Sequence, residues 1–322
     1  MSASNSSISA NQPYYTHLML YDIEAKLELD GDTIPLINAA GDTVVVKNLD
    51  KGGRRGASGL RPNAPRFGHA VAFQDERDLQ RLEKRGKPEL FLPVYNTMRV
   101  FRGPSLFADQ AREAFRTTLE DFKGSLEASA IISLVKKELR GRNIDKVIAF
   151  GLGPIGIAHP SLPRYSLYEH AAVIVLAEAV RKVTSASSVT VMVQEPAYTD
   201  VCKEVLGEFG FEVIEGYGAK GFALVDDHSV VLTHHPSFPF RQIIADLARP
   251  ALICMQKSVS KDEEERQRGK PLDLRADVDS VRSRKMLDEY HSTELPIPRQ
   301  KAFWDNTWYV RNELMPLSGL SG

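Results

Sequence analysis

The chain of 322 residues is 43% apolar and 26% charged, with 22 Gly and 18 Pro, a balance that excludes a collagen-like repeat, a coiled-coil rod and global disorder. Its 41 Lys and Arg against 42 Asp and Glu leave a net charge of −1, so no protein-wide cationic field exists to hold a long nucleic acid such as DNA. Two cysteines, Cys202 and Cys254, both in apolar stretches, exclude a disulfide framework and a cysteine-rich metal site, and are expected to pack in the core.

Residues 1–15 are rich in Ser and Asn and are expected to form a disordered tail. They lack the apolar stretch of a secretory signal, and the longest apolar run, AAVIVLAEAV at 171–180, is half a membrane span. The expectation is a cytoplasmic, reducing location without a membrane partner. Residues 16–140 form an N-terminal region. Within it KGGRRGASGLRPNAPRF at 51–67 holds four Gly, four Arg and two Pro, which predicts a long loop whose Arg54 and Arg55 face either solvent or phosphate. Helical spacing predicts helices over 75–84, 106–122 and 126–140. The last ends in KKELRGR, placing Lys136, Lys137, Arg140 and Arg142 at a helix C-terminus. The macrodipole alone favours cations there, and a tRNA backbone is the other partner that fits.

From residue 141 the pattern changes to short β-branched runs alternating with helices. Strands are predicted at 145–153, 188–196, 211–216, 230–236 and 251–256, with helices over 166–183, 199–209 and 240–248. Runs this apolar cannot face water on one side. They predict an α/β, Rossmann-like core over 141–257, a mostly parallel sheet with helices on both faces, plus an N-terminal α+β extension. Ligands in such sheets bind at the strands' carboxyl ends. Residues 258–288 read as an exposed, mixed-charge helix or linker, and KAFWDNTWYVRNE at 301–313 as an edge strand or lid that docks back on the sheet.

Several residues at this carboxyl edge could carry chemistry. GLGPIG at 151–156 fits the dinucleotide pattern, but Pro160 and Pro163 delay the helix, and the first strand-end acid, Glu195, is 39 residues past Gly156. Gly151 and Gly153 then either let a ligand approach the strand end or simply form a turn. In QEPAYTDVCKEVL at 194–206, Thr199 is a plausible N-cap and Asp200 and Glu204 fall one helical turn apart. They are either solvated acids or a receptor for a planar guanidinium. His234 and His235 end a strand, where neighbours point to opposite faces, so at most one is expected to aim into a given pocket, and without partners at ligand spacing zinc is not expected. Tyr165, Ser166, Tyr168, Glu169 and His170 surround a helix entry and offer a nucleophile, a base or plain packing.

The strand into GLG, the long helix, QEPAY, THHPSFPF and ALICMQ, taken in order, resemble the sensitivity-to-red-light-reduced-like domain family over roughly residues 140–257. With LFLPVYNTMRVFRG at 90–103 and FWDNTWYVR at 303–311 the chain is similar to a fungal subgroup, the arginine-containing cyclodipeptide synthases. That resemblance implies joining of arginine and a second amino acid, from arginyl-tRNA and another charged tRNA, into a diketopiperazine of secondary metabolism. The subgroup's D-D-x-x-E motif falls on Asp200 to Glu204, with Val201 at its second position. Asp200 and Glu204 are therefore the expected catalytic pair. Gly151, Gly153, Ser166, Glu195, Tyr198 and His235 are the expected substrate contacts, and Lys136, Lys137, Arg140, Arg54 and Arg55 the expected tRNA contacts. An aminoacyl ester is already activated, so neither a cofactor nor a metal is called for. The broader family implies an alternative, a regulatory or binding protein tied to clock or haem physiology.

Overall fold

The computed structural model describes residues 13–29, 31–48, 66–86, 91–101, 106–156, 165–258, 277–296, 302–303 and 305–312. Arg54 and Arg55, Trp304 and the stretch 259–276 lie outside the described residues.

The N-terminal region holds α1 (His17–Glu28), the antiparallel pair β1 (Thr33–Ile37) and β2 (Thr43–Lys47), then β3 (Arg66–Phe73), α2 (Glu76–Lys84) and β4 (Val94–Phe101). β3 pairs antiparallel with β4, so Arg66 and Phe67 belong to a strand rather than to the expected loop. Two helices follow, α3 (Ala108–Lys123) and α4 (Leu126–Glu138). Each of α1, α2 and α4 opens on a side-chain cap, Thr16, Asp75 and Ser125 in turn, which accepts one of the helix's unpaired N–H groups.

The core runs β5 (Lys146–Phe150), α5 (Tyr165–Arg181), β6 (Thr190–Gln194), α6 (Asp200–Glu208), β7 (Glu212–Val213), α7 (Lys220–Ala223), β8 (Ser229–Thr233), α8 (Phe240–Leu247) and β9 (Leu252–Gln256). It closes with α9 (Val281–Leu287), β10 (Tyr290–Glu294) and β11 (Asn306–Arg311). One seven-stranded sheet has the order β10-β11-β9-β8-β5-β6-β7. Strands β5 to β9 are mutually parallel, while β11 runs antiparallel to both its neighbours. The expected α/β, Rossmann-like class is what the chain adopts. The C-terminal segment is not an edge, however. Both faces of β11 are buried, and the shorter, mostly exposed β10 forms the border.

Alternation along each strand feeds two cores. Val147 and Ala149 pack with α3, α4, α5 and α6, whereas Ile148 and Phe150 pack with α1, α7 and α8. Helix α5 is apolar on most sides because it lies between the sheet and a further layer made by α3 and α4. Tyr14 and Tyr15 are buried in the second core, so the N-terminal tail is ordered by residue 14. Among the described residues no helix is long and apolar enough to cross a membrane.

The described end of the mixed-charge stretch is largely buried, with 277–280, Arg282, Ser283 and Met286 inside and Val281 and Lys285 facing solvent. Arg241 on α8 donates to Asp277 at 3.1 Å and Asp279 at 2.6 Å, and Arg282 on α9 donates to Asp246 at 2.7 Å and Glu76 at 2.9 Å. Burial opposes the Arg241 charge, but the two carboxylates hold its pKa above the ordinary value. Charge density in the sequence therefore marks two interior ion clusters that pin 277–287 to the core.

A third polar tie positions the cavity described below. Glu24, buried on α1, accepts the amides of Tyr217 at 2.7 Å, Ala219 at 2.6 Å and Lys220 at 3.1 Å, so one carboxylate shapes the turn into α7. Gly216 sits at φ 119°, and a Cβ there would stand 2.5 Å from a Glu24 oxygen, which leaves room only for glycine. Glu24→Ala leaves these amides without an acceptor and is expected to lower stability by about 3 kcal/mol. Urea unfolding of Glu24→Ala and Glu24→Gln checks this, with the Gln variant losing clearly less because it keeps one carbonyl acceptor.

Candidate functional site

Strand order reverses at β5. The chain leaves it toward β6 and β7 on one side, and β8 and β9 stack on the other, and a crevice at the carboxyl edge of such a switch point is where ligands bind in these sheets. The bend after β5 is held from three sides. Gly151 and Gly153 are both left-handed, at φ 69° and 74°. The Gly151 amide donates to the Gln194 carbonyl at 3.0 Å, the Gly153 amide to Glu195 Oε2 at 3.2 Å, and Ser166 Oγ donates to the Gly153 carbonyl at 2.7 Å. Ser166 thus fastens the bend to the start of α5.

A cavity of about 510 Å³, counted with its open mouth, fills the crevice. Gly151, Gln194, Glu195 and His235 come from three strand ends, and Phe73, Phe150, Phe222 and Phe238 supply an aromatic wall. Phe150 stacks on Phe222 with ring centres 4.2 Å apart, and Phe222 meets Phe73 and Phe238 edge-on. Gln194 is locked by Gly221 N and Gly218 O, each at 2.6 Å. Glu195 is the carboxylate of this cavity, and it also borders a neighbouring one with Tyr198, Lys203 and Glu215. Besides Gly153, it accepts the Ala197 amide at 2.9 Å. Ionised, it retains acceptor capacity toward a ligand.

Behind the His235 wall lies a polar cluster. His234, buried at the end of β8, donates through Nδ1 to Glu169 at 2.5 Å and through Nε2 to Asp305 at 2.9 Å. Burial alone would lower the His234 pKa, but the hydrogen bonds and charges of Asp305 and Glu169 carry it up to about 9. His235 Nε2 stands 3.2 Å from the other Asp305 oxygen, and Gln256 contacts its Nδ1 at 2.5 Å. Strand alternation predicts that the two imidazoles diverge. They do not, because His235 leaves the strand at φ 47°, which swings its ring to 4.3 Å from that of His234. Glu169 stands among the helix-entry candidates, whereas Asp305 is 71 positions from its partner His234 and its one signal in the sequence is a lone acid inside an aromatic tail segment.

The expected catalytic pair sits elsewhere. Asp200 and Glu204 are exposed on α6 and line neither the main cavity nor the neighbouring one. Glu204 does receive a guanidinium, but it belongs to Arg112 on α3, which reaches Glu204 at 3.3 Å and Glu208 in two bonds of 2.6 Å. The stripe thus clamps α6 to α3. Of the expected substrate contacts, Gly151, Glu195 and His235 meet at the main cavity, Gly153 and Ser166 form the bend beside it, and Tyr198 turns its hydroxyl inward. Lys136, Lys137 and Arg140 are exposed where α4 leads into the amino end of β5. That is the opposite edge of the sheet, about 17 Å from the cavity by the length of a five-residue strand.

The family model described as the SRR1 domain matches residues 122–310, from the end of α3 through most of β11. The chain belongs to the SRR1 domain family. The SRR1 domain therefore takes in both histidines, Glu169, Glu195 and Asp305, and extends beyond the expected 140–257 on both sides. No curated protein matches the chain. Among solved structures, a candidate O-methyltransferase from Klebsiella pneumoniae is 12% identical with TM-score 0.36, covering 63% of this chain and 90% of its own. The Thermoplasma acidophilum protein 1320 is 12% identical with TM-score 0.28, covering 58% and 86%. A candidate S-adenosyl-L-methionine-dependent methyltransferase from Methanococcus maripaludis is 12% identical with TM-score 0.30, covering 63% and 90%. Likeness this distant does not bear on activity.

One expected base proves to be part of the SRR1 domain's core. His170 is buried, with Nδ1–H directed at the Ser166 carbonyl and Nε2 facing the Tyr198 hydroxyl, both at 2.6 Å, and Phe115 and Phe211 edge-on to its ring. Burial lowers its pKa from 6.5 to about 4. Below pH 6.5 the unfolded chain binds a proton that the folded chain refuses, so this residue costs stability as pH falls from 6.5 to 4 and contributes nothing above. The loss at pH 4 relative to pH 7 is expected to be roughly 3 kcal/mol larger in the native protein than in His170→Gln. Urea midpoints of both proteins across this range measure it, and parallel curves would mean that His170 protonates inside the fold.

Proposed function

We propose that the protein is an aminoacyl-tRNA-dependent cyclodipeptide synthase that joins arginine to a second amino acid at the carboxyl edge of the sheet. The observation that carries this reading is the pairing, in one cavity, of a single carboxylate, Glu195, with an aromatic wall of Phe73, Phe222 and Phe238. Arginine asks for both parts. Its guanidinium bonds to a carboxylate with charge-assisted hydrogen bonds, and its planar face and methylene stem lie well on aromatic rings. This reading moves the arginine receptor from Asp200 and Glu204, where the motif resemblance puts it, to Glu195.

The chemistry asks little more than placement. The α-amine of one aminoacyl group attacks the ester carbonyl of the other, the carbon–oxygen bond to the tRNA breaks, and the amine's proton leaves as the tRNA hydroxyl forms. A second attack of the same kind closes the six-membered ring and releases the other tRNA. A site that fixes both groups in contact removes most of the entropic barrier, since the esters are already activated. The tRNA-contact residues Lys136, Lys137 and Arg140 remain part of the proposal as a phosphate-binding face remote from the reacting groups.

Expression in a heterologous host, with mass spectrometry for arginine diketopiperazines, tests the reading. The native protein is expected to yield cyclo-(Arg-Xaa), and Glu195→Gln to lower it roughly tenfold to a hundredfold, the value of one charge-assisted hydrogen bond. The Asp200→Ala, Glu204→Ala double variant is expected to keep the product. Loss of product in that variant, with Glu195→Gln active, would return the arginine site to α6. A folded native protein that makes no such product from charged tRNAs would favour a regulatory binding protein.

A further inference from the structure

The polar cluster behind the cavity has a composition that acyl transfer from an activated ester does not require. Two imidazoles and a carboxylate come together at the ends of β8 and at the entry to β11, with their donor atoms all within 4.8 Å of one another. We infer that His234, His235 and Asp305 form a binding site for a first-row divalent cation of the zinc type, with Glu169 orienting His234 from behind. This goes beyond the proposed activity and does not depend on it.

Distances support the assignment. One Asp305 oxygen stands 2.9 Å from His234 Nε2 and the other 3.2 Å from His235 Nε2. Around a tetrahedral ion with bonds of about 2.0–2.1 Å, neighbouring ligand atoms are about 3.3–3.4 Å apart. Both histidine–carboxylate separations are close to this spacing, and an ion would take the place of the proton that His234 Nε2 donates to Asp305, which passes to solvent. Two imidazoles and one carboxylate suit zinc, cobalt, nickel or ferrous iron, whereas magnesium and calcium prefer oxygen ligands throughout.

The surroundings match a metal site in a second way. Imidazoles that bind a metal through one nitrogen characteristically donate the other N–H to a carboxylate, which fixes tautomer and ring orientation. His234 Nδ1 does this toward Glu169 at 2.5 Å, from a helix unrelated to the segments that carry the ligands. Beside His235, Gln256 Nε2 lies 2.5 Å from Nδ1 and donates to Asp305 at 3.4 Å, so one amide braces two of the three ligands. Phe303 covers His234 edge-on with ring centres 5.8 Å apart.

Backbone strain points to the same place. Among the described residues, the non-glycine positions with positive φ are His235 at 47° and Phe303 at 57°. One lies on each of the two chain segments that deliver the ligands. Such conformations cost energy and persist where the surrounding structure requires them, most often at functional sites. Straightening His235 would turn its ring away from His234 and dissolve the cluster. The His235 and Asp305 side chains are 36% and 23% exposed, so the ion keeps an open position, and His235 shares a wall with the main cavity.

The test uses the full chain, freed of metal with a chelator and titrated with Co2+ while visible absorption is followed. The expected result is a saturable band at a single Co2+ per chain, displaced by Zn2+. His235→Ala and Asp305→Asn are each expected to abolish it. Glu169→Gln is expected to keep the band and weaken affinity roughly tenfold to a hundredfold, as loss of an orienting partner does. Circular dichroism establishes folding, and should Asp305→Asn fail to fold, the half-exposed His235→Ala decides the matter alone. Absence of a saturable band, or a band that survives either ligand substitution in folded protein, overturns the assignment. Because the readout is the metal itself, failure to make a diketopiperazine leaves this result untouched.

Discussion

A buried imidazole clamped by two carboxylates organises the carboxyl edge of this sheet. Bringing Glu169 fully and Asp305 partly out of water without compensation would be unfavourable, and His234 placed between them supplies the opposing charge and a hydrogen bond to each. The three residues come from α5, from the end of β8 and from the turn before β11. The clamp therefore joins a helix above the sheet, a central strand and the segment that returns to lie beside β9. Asn306, next in the chain, extends the join by donating to the Thr233 carbonyl at 2.6 Å. The two strained residues flanking the clamp are held in place by this network, and the His235 wall of the cavity takes its position from it.

Much of the core was legible because its physics is local. Strands such as KVIAF and SVVLT are too uniformly apolar for one-sided exposure, and each lies in the interior of the parallel sheet. The all-round apolar character of α5 announced burial on several sides, which the α3 and α4 layer accounts for. Less of the N-terminal region was legible, although α1 carries Leu20, Ile23 and Leu27 at helical spacing toward the second core. The antiparallel pair β3 and β4 joins segments separated by a helix, and their register depends on each other rather than on either sequence alone. The interior position of β11 follows from burial of Trp308 and Val310 on one face and Thr307 and Tyr309 on the other. A strand with two buried faces cannot be an edge, but a pattern of aromatic residues does not say which neighbours it finds.

Charge shows the same division between composition and partnership. The spacing of Asp200 and Glu204 correctly placed two acids on one side of α6, away from the buried Cys202, Val205 and Leu206. Adding Glu208 continues that stripe, and a guanidinium does approach it. The guanidinium is Arg112, supplied by the neighbouring helix. Likewise the Asp and Arg residues of 277–282 look solvated when counted and turn out to be the two halves of interior ion clusters with α8 and α2. A sequence states what a side chain can pair with, and the fold decides whether the partner is already part of the chain.

The residues that build the candidate site share a position that explains why their directions were hard to foresee. Gly151 follows the last residue of β5, Glu195 follows the last of β6, and His234 follows the last of β8. Rules of alternation hold only while the backbone keeps a strand's dihedrals, and each of these residues stands one step past that limit. At Gly151 the chain turns left-handed at once, and at His235 it does so one residue later. The alternation rule that sends neighbouring side chains to opposite faces therefore has no authority over His234 and His235, and their convergence on Asp305 is a property of the strand's end. Regular elements set where the edge lies. What the edge can bind is fixed by the few backbone angles at which regularity stops.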